Sequence, residues 1–567
     1  MLFKPWRDEA ELLEGSTTYF DAFLHSRDVI ELAINYNKPL CTSDDFDNEF
    51  QANELKDVID ELQMNKDTKD DFETLASNLN GDQKRVFEYI RYKLGKENEP
   101  PIRHFVSGVG GTGKSYLIKT IKAYTTRELN KSVAITAPTG MSAYNIQGIT
   151  IHHLLQLPVE HGNTPPYRPL FNNTIKLIRE KMKDVILLII DEISMVSNIT
   201  LLYIHLRLSE IYDTGNCDDG WFGKINILTF GDLLQLPPVN ELSPFLPMQP
   251  KKCDKYINAL GTINLWEKLF TYDELTENMR QKNDSIYANI LERIRINNIN
   301  QSDITAINER KIKFKINDKS DIIKQLYHLI IQLPESTLVL IPTRNYCSIL
   351  NNGILSLLPS ENVCLVAVDS VDCKETTKSK VVKKLSKLDD DSLRTAGLEK
   401  YINVKLNCKI MLQRNIDVTN GLVNGAIGTI VNVINGMDGE PEKIQVVFNN
   451  KCYYLERITG KFEVFHGAYV YRKQFPITVA YGITIHKSQG LHVINFDPKN
   501  IKAPVVAIKE YNRLREKYRP DLGKIPLLST KNRHIKDLIW TDSSNIRANN
   551  AQIPSTSFQD IPHHTIP

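Results

Sequence analysis

Eight consecutive residues, Gly108, Val109, Gly110, Gly111, Thr112, Gly113, Lys114 and Ser115, fit the pattern G-x-x-x-x-G-K-[ST]. Glycines in this spacing let backbone N–H groups turn toward phosphate oxygens, and the helix that follows adds positive potential at its N-terminus. Lys114 is placed to hold β- and γ-phosphates and the Ser115 hydroxyl to hold Mg²⁺. Downstream, Asp191 and Glu192 follow an apolar run. Asp191 can hold Mg²⁺ through water, and Glu192 can polarise an attacking water. Gly231-Asp232-Leu-Leu-Gln235-Leu-Pro237-Pro238 ends another apolar run, which puts Gln235 near a γ-phosphate. Leu275-Thr-Glu-Asn-Met-Arg280-Gln281 supplies a cation. Each has a plain alternative: a glycine-rich turn, a strand capped by acids, a surface arginine in an ion pair. Their joint occurrence in this order favours nucleotide chemistry.

The elements must deliver these residues to one place. Short apolar runs at 102–107, 133–137, 185–190 and 225–230 alternate with amphipathic stretches, which predicts βαβ units and a parallel sheet. The run at 185–190 is apolar at every position, as in a strand buried on both faces. A helix is expected from 114 to 129. Polar, helical chain follows at 281–335. A second α/β segment, with strands at 337–341 and 363–368, leads to short strands over 402–470. These are punctuated by Asn420-Gly421, Asn424-Gly425, Asn435-Gly436 and Asp438-Gly439, and the pattern suggests a small β-barrel. α/β character returns at 477–490. Residues 1–76 read as an acidic helical extension, the Lys-rich 374–387 as a solvated loop, and 530–567 as disordered.

The 567 residues suggest three or four domains. Hydrophobic residues at 41 % and charged residues at 24 % exclude a mostly disordered chain. Lys plus Arg number 70 and Asp plus Glu 68, a net charge of +2, so a nucleic-acid surface must be local. Eight cysteines without a CxxC pair argue against a zinc ribbon and for reduced, mostly buried thiols. No apolar run is long enough to span a bilayer. The N-terminus turns acidic at once, unlike a secretory or transit signal.

In this order the motifs resemble the superfamily 1B helicases of the Pif/RecD type. Leu79-Asn80-Gly81-Asp82-Gln83 is similar to the adenine-reading Q motif, with Gln83 as base contact. Residues 108–115, 191–192, 231–238 and 277–281 resemble motifs I to IV. Thr136-Ala-Pro-Thr139-Gly140 resembles motif Ia, and Thr150-Ile151-His152 the strand-gripping motif after it. Gly421-Leu-Val-Asn424-Gly425 and 475–490, which includes Thr484 and His486, resemble the late motifs. Pro5-Trp6-Arg7-Asp8-Glu9 resembles the lead-in of Helitron-like mobile-element helicases.

The resemblance implies an α/β fold of two RecA-like parallel-sheet domains binding ATP and Mg²⁺. They would act as a monomer on single-stranded and duplex DNA, moving 5′ to 3′, in DNA repair, recombination or telomere maintenance. The implied layout is an N-terminal extension at 1–76, RecA-like domain 1 at 77–280 with a wedge insertion near 154–175, and a connector at 281–335. Domain 2 follows at 336–401 and 471–529, with an SH3-like barrel inserted at 402–470, before the tail at 530–567. Gly108, Gly110, Gly111, Thr112, Gly113, Lys114 and Ser115 would bind ATP, and Ser115 and Asp191 the metal. Lys114, Asp191, Glu192, Gln235 and Arg280 would catalyse, and Thr139, Thr150, His152, Thr484 and His486 would touch DNA phosphates. A nuclear location follows from that substrate alone.

The resemblance breaks after Gly490. The family continues through a strand and helix carrying a Tyr-Val-Ala-Leu-Ser-Arg segment, motif VI. Here Leu491-His492-Val493-Ile494-Asn495-Phe496-Asp497-Pro498 follows directly, and no Ala-Leu-Ser-Arg occurs elsewhere. The missing arginine is of a kind worth about 10³–10⁵ in rate. The expectation is retained ATP and Mg²⁺ binding with severely impaired hydrolysis and unwinding. Two other readings stand beside an active helicase: an ATP- and DNA-binding remnant, and an unrelated phosphate-loop kinase, which leaves 421–425 and 484–490 unexplained.

Overall fold

The structure is a computed structural model that describes residues 72–527. Short internal stretches at 97–98, 159–164, 258–262, 281–283, 310–318, 334–336, 342, 374, 389–394, 418–419, 438, 466–467 and 485–503 are excepted. The expectations for 1–71, for the tail from 530, for His486 and for the 490–491 junction lie outside the described residues. The chain divides into a larger unit, 1–280 with 315–491, and a smaller one, 281–314 with 492–567.

The larger unit begins with a six-stranded sheet. β1 (Arg103–Gly108), β2 (Ser132–Ala137), β3 (Ile149–Thr150), β4 (Val185–Ile190), β5 (Asn226–Gly231) and β6 (Thr271–Leu275) run in the order β3-β2-β4-β5-β1-β6, every pair parallel. This is the α/β, RecA-like architecture expected of the nucleotide motifs. Five of the six β4 side chains are buried, because crossover helices cover both faces. The helix Lys114–Arg127 follows β1 and buries Leu117, Ile118, Ile121 and Tyr124, the three-to-four-residue spacing of one helical face. The helix Gly81–Leu94 opens with a capping box between Asn80 and Gln83 and buries Val86, Phe87 and Ile90. Phe72, Phe87 and Tyr124 meet as a ring cluster, centroids 5.6–5.9 Å apart, and join the two helices.

The second half of this unit carries β7 (Val339–Ile341), β8 (Val363–Val366), β9 (Val368–Asp372), β10 (Tyr401–Val404), β11 (Lys409–Leu412), β12 (Ile427–Asn435), β13 (Pro441–Phe448), β14 (Lys451–Leu455), β15 (Ile458–Phe465), β16 (Ala468–Gln474), β17 (Ile477–Val479) and β18 (Gly482–Thr484). β7 and β18 pair in parallel beside the helix Arg344–Leu357. Asn351 of that helix donates to Val479 O and Gly482 O, and its Oδ1 accepts from Tyr481 N and Gly482 N. One buried amide thus satisfies four backbone groups between β17 and β18. The strands expected to form a small barrel over 402–470 are shared out. β14-β13-β12-β11-β17 is one antiparallel sheet, β15-β16-β9 another, and β10 pairs with β8.

Two expectations are corrected. The lysine-rich run is no loop but the helix Glu375–Leu388. Val381 and Leu385, four residues apart, are buried with Phe462, Val464, Ala468 and Val470, while Lys384 Nζ reaches Val464 O and lies 4.0 Å from the Phe465 ring centroid. The apolar pair among the lysines is the helical signal that charge counting passes over. Nor are the thiols mostly buried: of the described free cysteines Cys347 and Cys408 are buried, Cys373 is partly so, and Cys217, Cys364 and Cys452 are exposed.

The smaller unit packs three helices, Ser285–Arg295, Gln301–Glu309 and Val505–Tyr518. Arg293 forms a bidentate pair with buried Asp303 at 2.6 and 2.8 Å. The polar stretch 281–335 is thus helical as expected, but its first part belongs to this unit and the helix Lys319–Ile330 to the larger one. Among the described residues no helix is long and apolar enough to cross a membrane.

Candidate nucleotide site

Parallel register brings the site residues to one edge of the sheet. β1 pairs Ser107 with Gly231 of β5 and Gly108 with Leu275 of β6, so 108–115, the Gly231–Asp232 turn and the 276–280 loop leave the sheet side by side. β4 lies beyond β5 and ends at Ile190, so Asp191 emerges at the same edge. Backbone approach explains the glycines. A Cβ on Gly108 would sit 2.4 Å from Thr112 Oγ1, on Gly111 2.7 Å from Arg280 Cβ, and on Gly113 2.3 Å from Gln83 Nε2, whereas Gly110 faces open space. Gly111 and Gly113 also hold φ of +95° and +78°, a region other residues enter only at a cost.

Lys114 Nζ donates to Gly108 O at 2.7 Å and Val109 O at 3.3 Å. Its charge also reaches Asp191. Asp191 is 6 % exposed. Burial raises its pKa above the ordinary carboxylate value, and the Lys114 charge and the Glu192 N–H, which donates to Oδ1 at 2.9 Å, pull it part of the way back. Oδ2 accepts no hydrogen bond among the described residues. A desolvated carboxylate with an unengaged oxygen, within reach of the Lys114 charge, suits Mg²⁺, which takes one or two protein ligands and completes its shell with phosphates and water; Ser115, exposed and next to Lys114 in the chain, is the candidate second ligand. Among the described residues no cluster of three His, Cys, Asp or Glu offers an all-protein metal cage. Glu192 adopts φ +51° at the strand end, and a Cβ on Gly231 would meet Ile193 N at 3.0 Å. The Asp191–Glu192 turn is therefore pressed against the end of β5. Gln235 lies half-buried in the next turn, its N–H donating to Asp232 O at 2.9 Å.

Arg280 reaches the phosphate loop through its backbone. Met279 N and Arg280 N donate to Gly111 O at 2.8 and 3.3 Å, and Asn278 Nδ2 to Gly110 O at 3.5 Å. Its side chain is exposed and makes no ion pair among the described residues. Gln83 is 3 % exposed. Its Oε1 accepts from Asn80 N at 3.0 Å, and its Nε2 donates to Thr112 O at 3.1 Å, so it holds the loop directly.

The residues expected to grip a strand are partly occupied. Thr139 and Thr150 cap the helices Gly140–Asn145 and Ile151–Leu154, accepting from Ser142 N and His153 N. Both leave the sheet at the edge that carries the phosphate loop, Ala137 pairing with Thr150. His152 is half-buried, and burial lowers its pKa against the opposing charge of Glu241. Thr484 ends β18, far along the chain from these threonines.

Asn415 and Tyr144 were not singled out from the sequence. A Cβ on Gly140 would meet Asn415 Oδ1 at 2.2 Å, and one on Gly421 would meet the Tyr144 ring at 2.9 Å. Asn415 Oδ1 also accepts from Asn424 N at 2.8 Å. The Gly140 turn and the 421–425 loop are thus in contact. Asn278, likewise unforeseen, carries no signal beyond its place two residues before Arg280.

Residues 78–314 match the family model of the PIF1-like helicases, and residues 391–433 that of the DNA helicase Pif1 2B domain. Over these residues the chain is similar to the Pif-type helicases. Curated relatives include an ATP-dependent DNA helicase PIF1 of Danio rerio, 25 % identical, and one of Xenopus laevis, 27 % identical. Each alignment covers 73 % of this chain, with 61 % and 62 % of the relative covered. The chain therefore spans about three-fifths of the length of these relatives. Among solved structures, the Pif1 helicase of Candida albicans aligns with a TM-score of 0.53 at 22 % identity, over 77 % of this chain and 99 % of that one. A Bacteroides Pif1 bound to single-stranded DNA aligns with 0.54 at 21 %, over 77 % and 97 %. These likenesses establish the RecA-like fold of the chain.

Proposed function

We propose that this chain is an ATP-dependent DNA helicase that couples ATP hydrolysis to 5′-to-3′ movement along single-stranded DNA and to duplex unwinding. The observation that supports this best is the convergence of 108–115, Asp191, Gln235 and Arg280 at the ends of adjacent parallel strands. The phosphate loop binds the β- and γ-phosphates with Lys114. Ser115 and Asp191 would hold Mg²⁺, which would neutralise charge on those phosphates. Glu192 and Gln235 orient the attacking water, and Arg280 takes up γ-phosphate charge. Gln83, which holds Thr112 O of the loop, would be the adenine contact. Thr139, Thr150, His152, Thr484 and His486 would contact DNA phosphates, which positions a strand without reading its sequence. Residues 402–470 would play the part of the SH3-like insertion. DNA repair, recombination or telomere maintenance in the nucleus is the setting that fits such a motor, with the chain acting as a monomer.

A second reading rests on the Gly490–Leu491 junction, where the motif VI arginine has no counterpart. On that reading the chain binds Mg·ATP and single-stranded DNA but turns over slowly. Strand displacement and DNA-stimulated ATPase assays, with Lys114→Ala as control, separate the two. Unwinding that disappears in Lys114→Ala supports the motor. Mg·ATP and DNA binding without unwinding supports the second reading. Failure of the wild-type chain to retain Mg·ATP refutes both.

A further inference from the structure

One carboxylate links the start of the Gln83 helix to the loop that carries Arg280. Asp82 Oδ2 accepts from Thr276 N at 2.8 Å and from Thr276 Oγ1 at 2.7 Å, four residues before Arg280. Its Oδ1 pairs with Arg85 Nη1 at 2.6 Å. Arg85 in turn grips β6, donating to both Asp273 oxygens at 2.8 and 3.1 Å and to Glu274 O at 3.1 Å. The adjacent residue, Gln83, holds Thr112 O, and the loop closes the circuit from the other side, Met279 N and Arg280 N donating to Gly111 O. Burial raises the Asp82 pKa, but the two Thr276 bonds and the Arg85 charge outweigh it and hold the carboxyl below its ordinary range.

We infer that Asp82 and Thr276 are positioning residues that set Arg280 over the γ-phosphate and tie that placement to the seating of Gln83 on the phosphate loop. The chemistry follows from geometry. The 276–280 segment leaves β6 without regular structure, so its position depends on side-chain anchors. Two charge-assisted bonds to one carboxylate oxygen are the strong kind. The arginine at the end of the segment senses charge present in ATP and absent from ADP. The anchor should therefore govern discrimination between the two nucleotides, while the phosphate loop, with its own bonds, keeps its affinity for the shared α- and β-phosphates. This rests on the role proposed above for Arg280.

The test is equilibrium binding of Mg·ATP and Mg·ADP to the full chain. Asp82→Ala is expected to lower the preference for ATP over ADP by about tenfold, the loss of one charged hydrogen-bond anchor, with ADP affinity held. Thr276→Val, which spares the Arg85 contacts, should lower it in the same direction. Asp82→Asn, which keeps an oxygen acceptor for Thr276, should restore most of it. Asp82→Ala added to Arg280→Ala should have no further effect on the ratio. ADP affinity falling in step with ATP affinity in both Asp82→Ala and Thr276→Val would mean a merely structural anchor and overturn the inference, as would an unchanged ratio. Wild-type protein that retained neither nucleotide would instead overturn the proposed function itself.

Discussion

Asp191→Asn should stabilise the protein without nucleotide and weaken it relative to wild type with Mg·ATP. The wild-type carboxylate is desolvated, and its folded pKa lies above the unfolded one. The sign follows: the folded state binds the proton more readily, so stability falls as pH rises from the ordinary carboxylate value through the folded pKa, and the penalty is fully present above that pKa. Asparagine removes the buried charge while its Oδ1 still accepts from Glu192 N. Relieving strain at a binding site of this kind contributes about 1 kcal/mol, or roughly 2–4 °C in Tm for a domain of 150–250 residues. With Mg·ATP at a hundredfold excess over Kd, the wild type gains about 2.7 kcal/mol by linkage, and the variant, lacking the metal ligand, forfeits most of it. Thermal melts with and without Mg·ATP should therefore show the order of the two proteins reversing. A variant that melts below wild type without nucleotide, or that keeps the whole Mg·ATP shift, would refute the reasoning.

Three further outcomes are expected. Arg472, fully buried, pairs with Asp369 at 2.7 and 2.8 Å and donates to Leu398 O; Arg472→Ala strands Asp369 and should cost about 3–5 kcal/mol by urea denaturation, whereas replacing both partners with apolar residues should cost far less. Burial drives the His104 pKa from 6.5 down to about 4 against a smaller opposing pull from Asp273. The unfolded chain takes up that proton first, so stability should fall as pH drops from 6.5 toward 4, and His104→Gln should flatten that stretch of the profile. Gly113→Ala must adopt φ +78° and drive a Cβ into Gln83 Nε2. It should cost about 1–2 kcal/mol of stability and weaken Mg·ATP binding in a dialysis assay.

The parts of the fold visible in the sequence were those with local causes. β4 was read to the residue because six apolar side chains in a row suit only a strand covered on both faces. The helix after Gly113 followed from its glycine-rich turn and apolar spacing, and the turns at Gly421, Gly425 and Gly439 from glycines that take positive φ. What escaped depends on distant chain. Whether the strands of 402–470 close on themselves depends on partners elsewhere: β9 joins β16 from about a hundred residues upstream, and no period within 402–470 signals it. In the site, Lys114, Asp191 and Arg280 were legible as motif residues. Asn278, Asn415 and Tyr144 were not, since each matters through a neighbour far away in sequence. Gln83 was legible by position, but its grip on Thr112 O was not.

β1 is flanked by β5 and β6, the last two strands of its sheet to be synthesised. Its contacts with them bridge 125 residues at Thr229 and 167 at Thr271. A chain emerging from the ribosome therefore carries the strand ahead of the phosphate loop with both edges bare while more than a hundred residues are added. Bare edges invite pairing with other chains, and closures of this span are slow. Any truncation before Leu275 leaves Gly108 and Gly111 without the strand and loop that brace them. Such fragments should be sticky and unable to hold nucleotide even though every glycine and lysine of the signature is present, and bound ATP should report that translation has passed the arginine.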